Sequence, residues 1–321
     1  MSSSYIIRLF REKRGLGILI IFIVIMFLFD AINKLFFTPE SLSDILLVAT
    51  QDGIIAIFVT LLLIGGEFDL SVGEVFVFSG MIFGYALPTL GPYLALLLAL
   101  VISAIIGLGN GLITTYLRVP SFITTLGTSF LLEGLIFVTT GGFEISVSLS
   151  RVPFWYYLSG RLPYGFNMWI AWFIIFAVLS YILLEHTRFG NHIFATGGSQ
   201  NAAYAVGVNT RLTKIILFIF SSTIAGLVGI MSLLYYTTIS PVEGQDLPLI
   251  VLAIAVIGGS SLFGGVGSVE GTVFSALTIG AIYVGLVLAG VPSYYYYSFV
   301  GALLVSIAIV NEKLLRRKVQ T

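Results

Sequence analysis

The run Leu16-Gly-Ile-Leu-Ile-Ile-Phe-Ile-Val-Ile-Met-Phe-Leu-Phe29 contains no polar side chain, and comparable apolar stretches recur as far as Val310. A membrane-spanning helix needs about 20 mainly apolar residues. A transmembrane barrel instead shows segments of about ten residues with alternating polarity. Unbroken runs therefore select helices. Charged residues make up 9% of the 321 positions, against about 25% in an average soluble domain, too few to cover a water-facing surface. The expected fold is all-α: a polytopic membrane protein forming a single transmembrane domain over residues 1–321.

Apolar pattern and Gly/Pro breakers predict ten spans, near 15–35, 44–64, 70–88, 92–117, 121–140, 166–185, 212–236, 247–261, 268–289 and 293–311. The basic N-terminus, with Arg8, Arg11, Lys13 and Arg14, mimics a secretory signal. The apolar run behind it is longer than a secretory core and no small-residue cleavage site follows, so it is read as a retained first span. Lys and Arg collect on cytoplasmic loops. With the N-terminus inside, Arg118, Arg188, Arg211, Lys214, Lys313, Arg316, Arg317 and Lys318 join the first four there. That places twelve of the fifteen basic residues inside, leaving Lys34, Arg151 and Arg161 outside. Both termini are then cytoplasmic.

Several chemistries are excluded. The formal net charge is zero, which gives no argument for nucleic acid. There is no cysteine, and His186 and His192 are the two histidines, so thiolate chemistry and histidine metal clusters have no basis. No G-x-x-x-x-G-K-[ST] loop is present to cradle ATP, and no G-x-S-x-G or H-E-x-x-H constellation marks a hydrolase. No cofactor is expected in this chain.

Two loops stand out. The expected extracytoplasmic one, 141–165, carries Trp155, Tyr156, Tyr157 and Tyr164, suited to anchoring at a membrane interface. The expected cytoplasmic one, 185–214, is the longest polar stretch. Its helical centre, Ser199-Gln-Asn-Ala-Ala-Tyr-Ala-Val206, is bounded by Gly197-Gly198 and Gly207. A connector needs only a few residues, so this one is read as a docking element.

Polar residues at membrane depth point to function. Glu67, Asp69 and Glu74 lie together in Gly65-Gly-Glu-Phe-Asp-Leu-Ser-Val-Gly-Glu74. Asp69 and Ser71 are N-cap residue types, a role compatible with a gate or path. Glu133 stands in mid-segment with no evident basic partner, which favours a structural or gating role over a proton relay. Gly258, Gly259, Gly264, Gly265 and Gly267 occupy five of ten positions. No basic residue lies near them to meet a phosphate, so they read as hinge or packing glycines. Tyr294–Tyr297 read as an interfacial belt.

Four segments, GGEFDLSVG (65–73), VPSFITTLGTSFLLEGLIFVTTGG (119–142), RFGNHIFATGGSQNAAYAVGVNT (188–210) and AIAVIGGSSLFGGVGSVEGT (253–272), together resemble the permease subunits of ribose/xylose-class ATP-binding-cassette importers. They occur in that family's order over roughly residues 45–310. The resemblance implies a permease like those of type II importers, paired with a second permease chain in a homodimer or heterodimer. It would be fed by an extracytoplasmic sugar-binding protein and driven by an ATPase subunit with tandem nucleotide-binding domains, which would hold the ATP and Mg. The loop 185–214 would hold the coupling helices, with Gly198, Asn201, Ala202 and Gly207 as docking residues. The first motif departs from the family's usual Gly-Gly-Ile-Asp-Leu-Ser at Glu67-Phe68. Pro248-Leu249-Ile250 stands where Glu-Leu-Asp is frequent.

A neutral monosaccharide, a pentose such as ribose or xylose, suits spans without deep basic residues. Permeases for nucleosides, autoinducers or branched-chain amino acids share the architecture. The competing class is an ion-coupled carrier acting alone, with Glu133 or Asp69 as the coupling site. Such carriers often show inverted repeats with matching broken helices, and no repeat is visible between the halves of the sequence.

Overall fold

The computed structural model describes residues 16–292 and 294–306. The basic residues 8–14 and 313–318 that orient the chain lie outside the described residues. The helices are α1 (Leu16–Ile32), α2 (Pro39–Ile64), α3 (Val72–Tyr116), α4 (Ser121–Thr140), the short α5 (Trp155–Ser159), α6 (Trp169–His186), α7 (Arg188–Gly198), α8 (Gln200–Ala205), α9 (Thr210–Tyr236), α10 (Leu247–Ile257) and α11 (Val269–Leu288). A last apolar helix, α12, covers Tyr295–Ser306. Six of these, α2, α3, α4, α6, α9 and α11, are long and apolar enough to cross a membrane.

The 45-residue α3 would be about 68 Å long if straight, twice the hydrocarbon thickness of a bilayer. It does not run straight. Gly91 takes φ 73° and ψ 170° between Pro88 and Pro92, a conformation that glycine adopts without steric cost. The two spans expected at 70–88 and 92–117 are the two arms of this broken helix. α10 is shorter than the expected 247–261, because the Gly258 N–H closes the helix on Ile254 O and Gly259 turns at φ +94°. One departure from an all-α chain is a two-residue antiparallel ladder, Ile145–Ser146 against Thr238–Ile239. Loop backbone groups outside any helix satisfy each other there.

Lipid tails are as apolar as leucine, so burial alone does not drive these helices together; close packing and hydrogen bonds do. Glycines make that packing possible. A Cβ at Gly107 would sit 2.5 Å from Phe218 O, and one at Gly280 2.5 Å from Ile45 O. α9 touches both arms of α3: Ile215 lies beside Gly111, and Gly229 packs on the Phe76 carbonyl. Thr60 and Thr272 share a buried 2.7 Å hydrogen bond between α2 and α11. At the end of the bundle where α9 finishes, the loop 141–165 is pinned to that helix. Ser159 Oγ donates to Met231 O at 2.7 Å, and Trp169 Nε1 donates to Ser159 Oγ at 3.0 Å.

Candidate functional site

The loop expected to dock a partner folds as two helices, α7 and α8, rather than one helical centre. Thr187 caps α7 by accepting from Gly190 N at 3.1 Å, and Ser199 caps α8 through Ala202 N. Only Ala203 of α8 is buried. Asn201 and Ala202 are exposed, as are Tyr204 and Val206, at 75% and 79%. Gly207, at φ +89°, reverses the chain toward α9. An apolar knob thus projects beside the docking residues named from sequence.

Beneath α7 three glycine turns meet. Gly197 packs directly on Ile64 O, the last carbonyl of α2, and a Cβ there would be 2.6 Å from Gly265 N. Gly265 N donates to that same Ile64 O at 2.8 Å. Gly264, at φ +82°, brings its own Cβ position to 2.8 Å from Gly66 Cα, and that of Gly265 is 2.7 Å from Gly198 Cα. Gly258 packs separately on the first turn of α11, 2.7 Å from Thr272 N. The glycines 258–267 therefore serve close packing: Gly264 and Gly265 clamp α7 to the end of α2. Gly197, absent from the docking residues read in sequence, is the one with no room for a side chain; a Cβ at Gly198 meets open space.

From this clamp the connector 65–71 runs along the first turns of α4. Phe68 N donates to Ser121 Oγ (3.1 Å) and Leu70 N to Thr125 Oγ1 (3.0 Å). Asp69 accepts from Ser71 N (3.0 Å), Ser71 Oγ (2.6 Å) and Ser222 Oγ (3.4 Å). Asn110 Nδ2 donates to Ser71 Oγ at 2.9 Å, and Asn110 Oδ1 accepts from Thr128 Oγ1 at 2.6 Å. Ser71 occupies the N-cap position of α3 but makes no side-chain cap bond. Asp69 is the acceptor instead, a division of labour that the sequence did not reveal.

Ser222 is the thirteenth residue of the 27-residue α9, so α3 begins about halfway along that helix. A second connector, 237–246, mirrors the first from the opposite end. It folds back along α9, where Glu243 accepts from Ser232 Oγ (2.9 Å) and Ser240 N (3.2 Å). Gly244 then packs on the Gly73 carbonyl, with Pro248 Cδ 2.8 Å from the Gly73 Cβ position. The starts of α3 and α10 thus abut near mid-helix. Both helices start inside the bundle, after connectors that turn back from the ends of the continuous helices α2 and α9.

Glu133 does have a partner. Gln245 Nε2, from the second connector, donates to its carboxylate at 3.2 Å. Glu67, left without a role in the sequence reading, pairs with Lys214 at 2.6 Å. The hint was Lys214 in the second turn of a helix that is apolar from Ile215 to Phe220. Glu74 is buried, and among the described residues nothing partners its Oε2. Among the described residues no cluster of three metal-ligating side chains occurs. A groove of about 470 Å³ opens between α6, α7 and α9. Its lining, Leu179, Ile182, Leu183, Phe189, Ile216 and Phe220 with Thr187 as the sole polar residue, suits an acyl chain and not a sugar.

The profile of the family described as branched-chain amino acid transport system / permease component matches residues 41–308. Over 288 residues the chain is 31% identical to the ribose import permease protein RbsC of Escherichia coli K12, covering 88% of each. It is 32% identical over 303 residues to the xylose/arabinose import permease protein XylH of Sulfolobus acidocaldarius, covering 91% of this chain and 82% of the relative. With the L-arabinose ABC transporter permease protein AraH of Azospirillum brasilense it shares 29% over 301 residues, covering 92% and 87%. No solved structure matches the chain. Membrane-crossing helices and this family match agree: the chain belongs to the permease-component family and is a multi-pass protein of the cell membrane.

Proposed function

We propose that this chain is the permease subunit of an ATP-driven importer of a neutral monosaccharide, a pentose such as ribose, xylose or arabinose first. Relatives that carry those names over most of the chain support the substrate class. The two arms of α3, together with α1, α2, α4, α6, α9, α10, α11 and α12, make ten crossings, with both termini on the side of α7 and α8. The whole chain acts as one transmembrane domain. It pairs with a second permease chain, receives sugar from an extracytoplasmic binding protein and hydrolyses nothing. ATP and Mg are held by the tandem nucleotide-binding domains of a separate ATPase subunit.

The observation that carries this reading is the seat of α7. Its last turn rests on the backbone where α2 ends and where the loop 258–268 precedes α11. A push on α7–α8 is thereby delivered to two membrane helices at once. Asp69, Ser71, Asn110 and Thr128 then form the inner part of the gate, with Glu133 and Gln245 on its opposite side. Affinity purification of the chain from its native membranes in mild detergent tests the reading. Recovery of a tandem ATPase with vanadate-sensitive hydrolysis is the expected result. A chain that purifies alone and takes up sugar on an ion gradient without ATP overturns it.

A further inference from the structure

A buried ammonium joins three segments, α9, the connector 65–71 and α8. Lys214, on α9, donates from Nζ to Glu67 Oε1 at 2.6 Å and to Gln200 Oε1 at 3.1 Å. Glu67 belongs to the connector that leads to Asp69, two residues on. Gln200 is the first residue of α8. α9 itself carries Ser222, which holds Asp69. The side chains of Lys214 and Glu67 are only 10% and 11% exposed. The other ion pair among the described residues, Lys34 with Asp30, is a local surface contact.

A purely structural role explains this arrangement poorly. Taking two charges out of water costs about as much as their attraction returns, so an apolar pair of the same size would hold the segments as well or better. A charged link does something that an apolar contact does not. Its hydrogen bonds are directional, and it fixes one register between its parts. The Gln200 arm is the weak joint, since it is longer and made by a neutral group.

We propose that Glu67, Lys214 and Gln200 are positioning residues of the transport cycle. In this scheme Gln200 passes displacement of the docking helices to Lys214, and Lys214 passes it through Glu67 to the Asp69 connector. The inference rests on the reading of α7–α8 as the ATPase-docking element. Uptake and hydrolysis are then coupled through this triad, beside the glycine clamp under α7.

The test uses the complete complex, permease with its ATPase and binding protein, in proteoliposomes with labelled pentose. Gln200→Ala cuts only the arm to α8 and leaves the ion pair in place. Glu67→Gln removes the charge partner. The exchange E67K with K214E restores the pair with reversed polarity, and the Gln200 amide can donate to the new carboxylate. The expected result is a tenfold or greater fall in sugar moved per ATP for Gln200→Ala and Glu67→Gln, with the ATPase still co-purifying. The exchange recovers at least half of the wild-type ratio. A wild-type ratio in Gln200→Ala overturns the proposal, as does an exchange that unfolds no more than wild type yet recovers nothing. If Glu67→Gln does not fold, Gln200→Ala decides alone. Absence of any ATPase from the wild-type preparation defeats the docking reading itself, and this proposal with it.

Discussion

Replacing Gly197 by alanine places a methyl group into the most crowded point of the seat of α7. The added Cβ falls within contact distance of Ile64 O and 2.6 Å from Gly265 N. Ordinary van der Waals contact for such a carbon begins near 3.4 Å, so Gly265 must retreat by 0.8 Å, the difference of those two distances, and Ile64 by more. Both obstacles are backbone and cannot rotate away. They are also the two ends of one 2.8 Å hydrogen bond, which the methyl wedges apart. Overpacking of this kind costs about 1–3 kcal/mol, and a lost hydrogen bond adds about 1 kcal/mol. The total is about 2–4 kcal/mol. If that strain falls on the docked geometry, at 1.36 kcal/mol per tenfold, ATP-driven uptake drops about 30-fold to about 900-fold. Uptake in proteoliposomes and thermal unfolding in detergent read the effect. Gly198→Ala is the control for folding: its Cβ meets open space, and its stability stays within the ~0.5 kcal/mol typical of surface changes. Wild-type uptake and unfolding in Gly197→Ala would refute the clamp.

Gly73→Ala drives a methyl into Gly244 and Pro248, separating the starts of α3 and α10. Uptake is lost while the ATPase still co-purifies, and normal uptake would show that the abutment is incidental. Asn110→Ala leaves Ser71 and Thr128 without their shared partner. It lowers stability by about 1–3 kcal/mol, read as the shift in a thermal or denaturant unfolding curve of the purified chain. Glu133→Gln removes the charge but keeps an oxygen to accept from Gln245, so ATP-driven uptake stays within a few-fold of wild type. Its abolition would favour an ion-coupled carrier.

Much of the helical framework was legible because lipid imposes a simple code on the chain. Apolar runs mark helices, and Pro88, Gly91 and Pro92 mark the break in α3 where two spans were expected. The polar stretch 185–214 stands out for the same reason: nothing in a bilayer explains a glycine-bounded polar helix, and the structure folds it as α7 and α8. The site itself was only partly legible. Asp69 and Ser71 were evident as acceptors near a helix start, but Asn110 and Thr128 were not, because their hydrogen bonds join α3, α4 and the connector across distant sequence. Lys214 looked like an orienting charge. Its partner Glu67 lies 147 positions away, and no local period relates them. Gly197 and Gly198 are indistinguishable as letters. Only the path of α2 beneath α7 decides which of them can carry a side chain. The connectors 65–71 and 237–246 both lead back along α9 without sharing a motif, so a search for repeated residues passes over them.

Uptake of labelled pentose into proteoliposomes holding the purified complex, with and without ATP, tests the central claim most directly. Transport that requires ATP, stops with vanadate and collapses in Gly197→Ala is the predicted result. Uptake by this chain alone, driven by an ion gradient and indifferent to ATP, would contradict it.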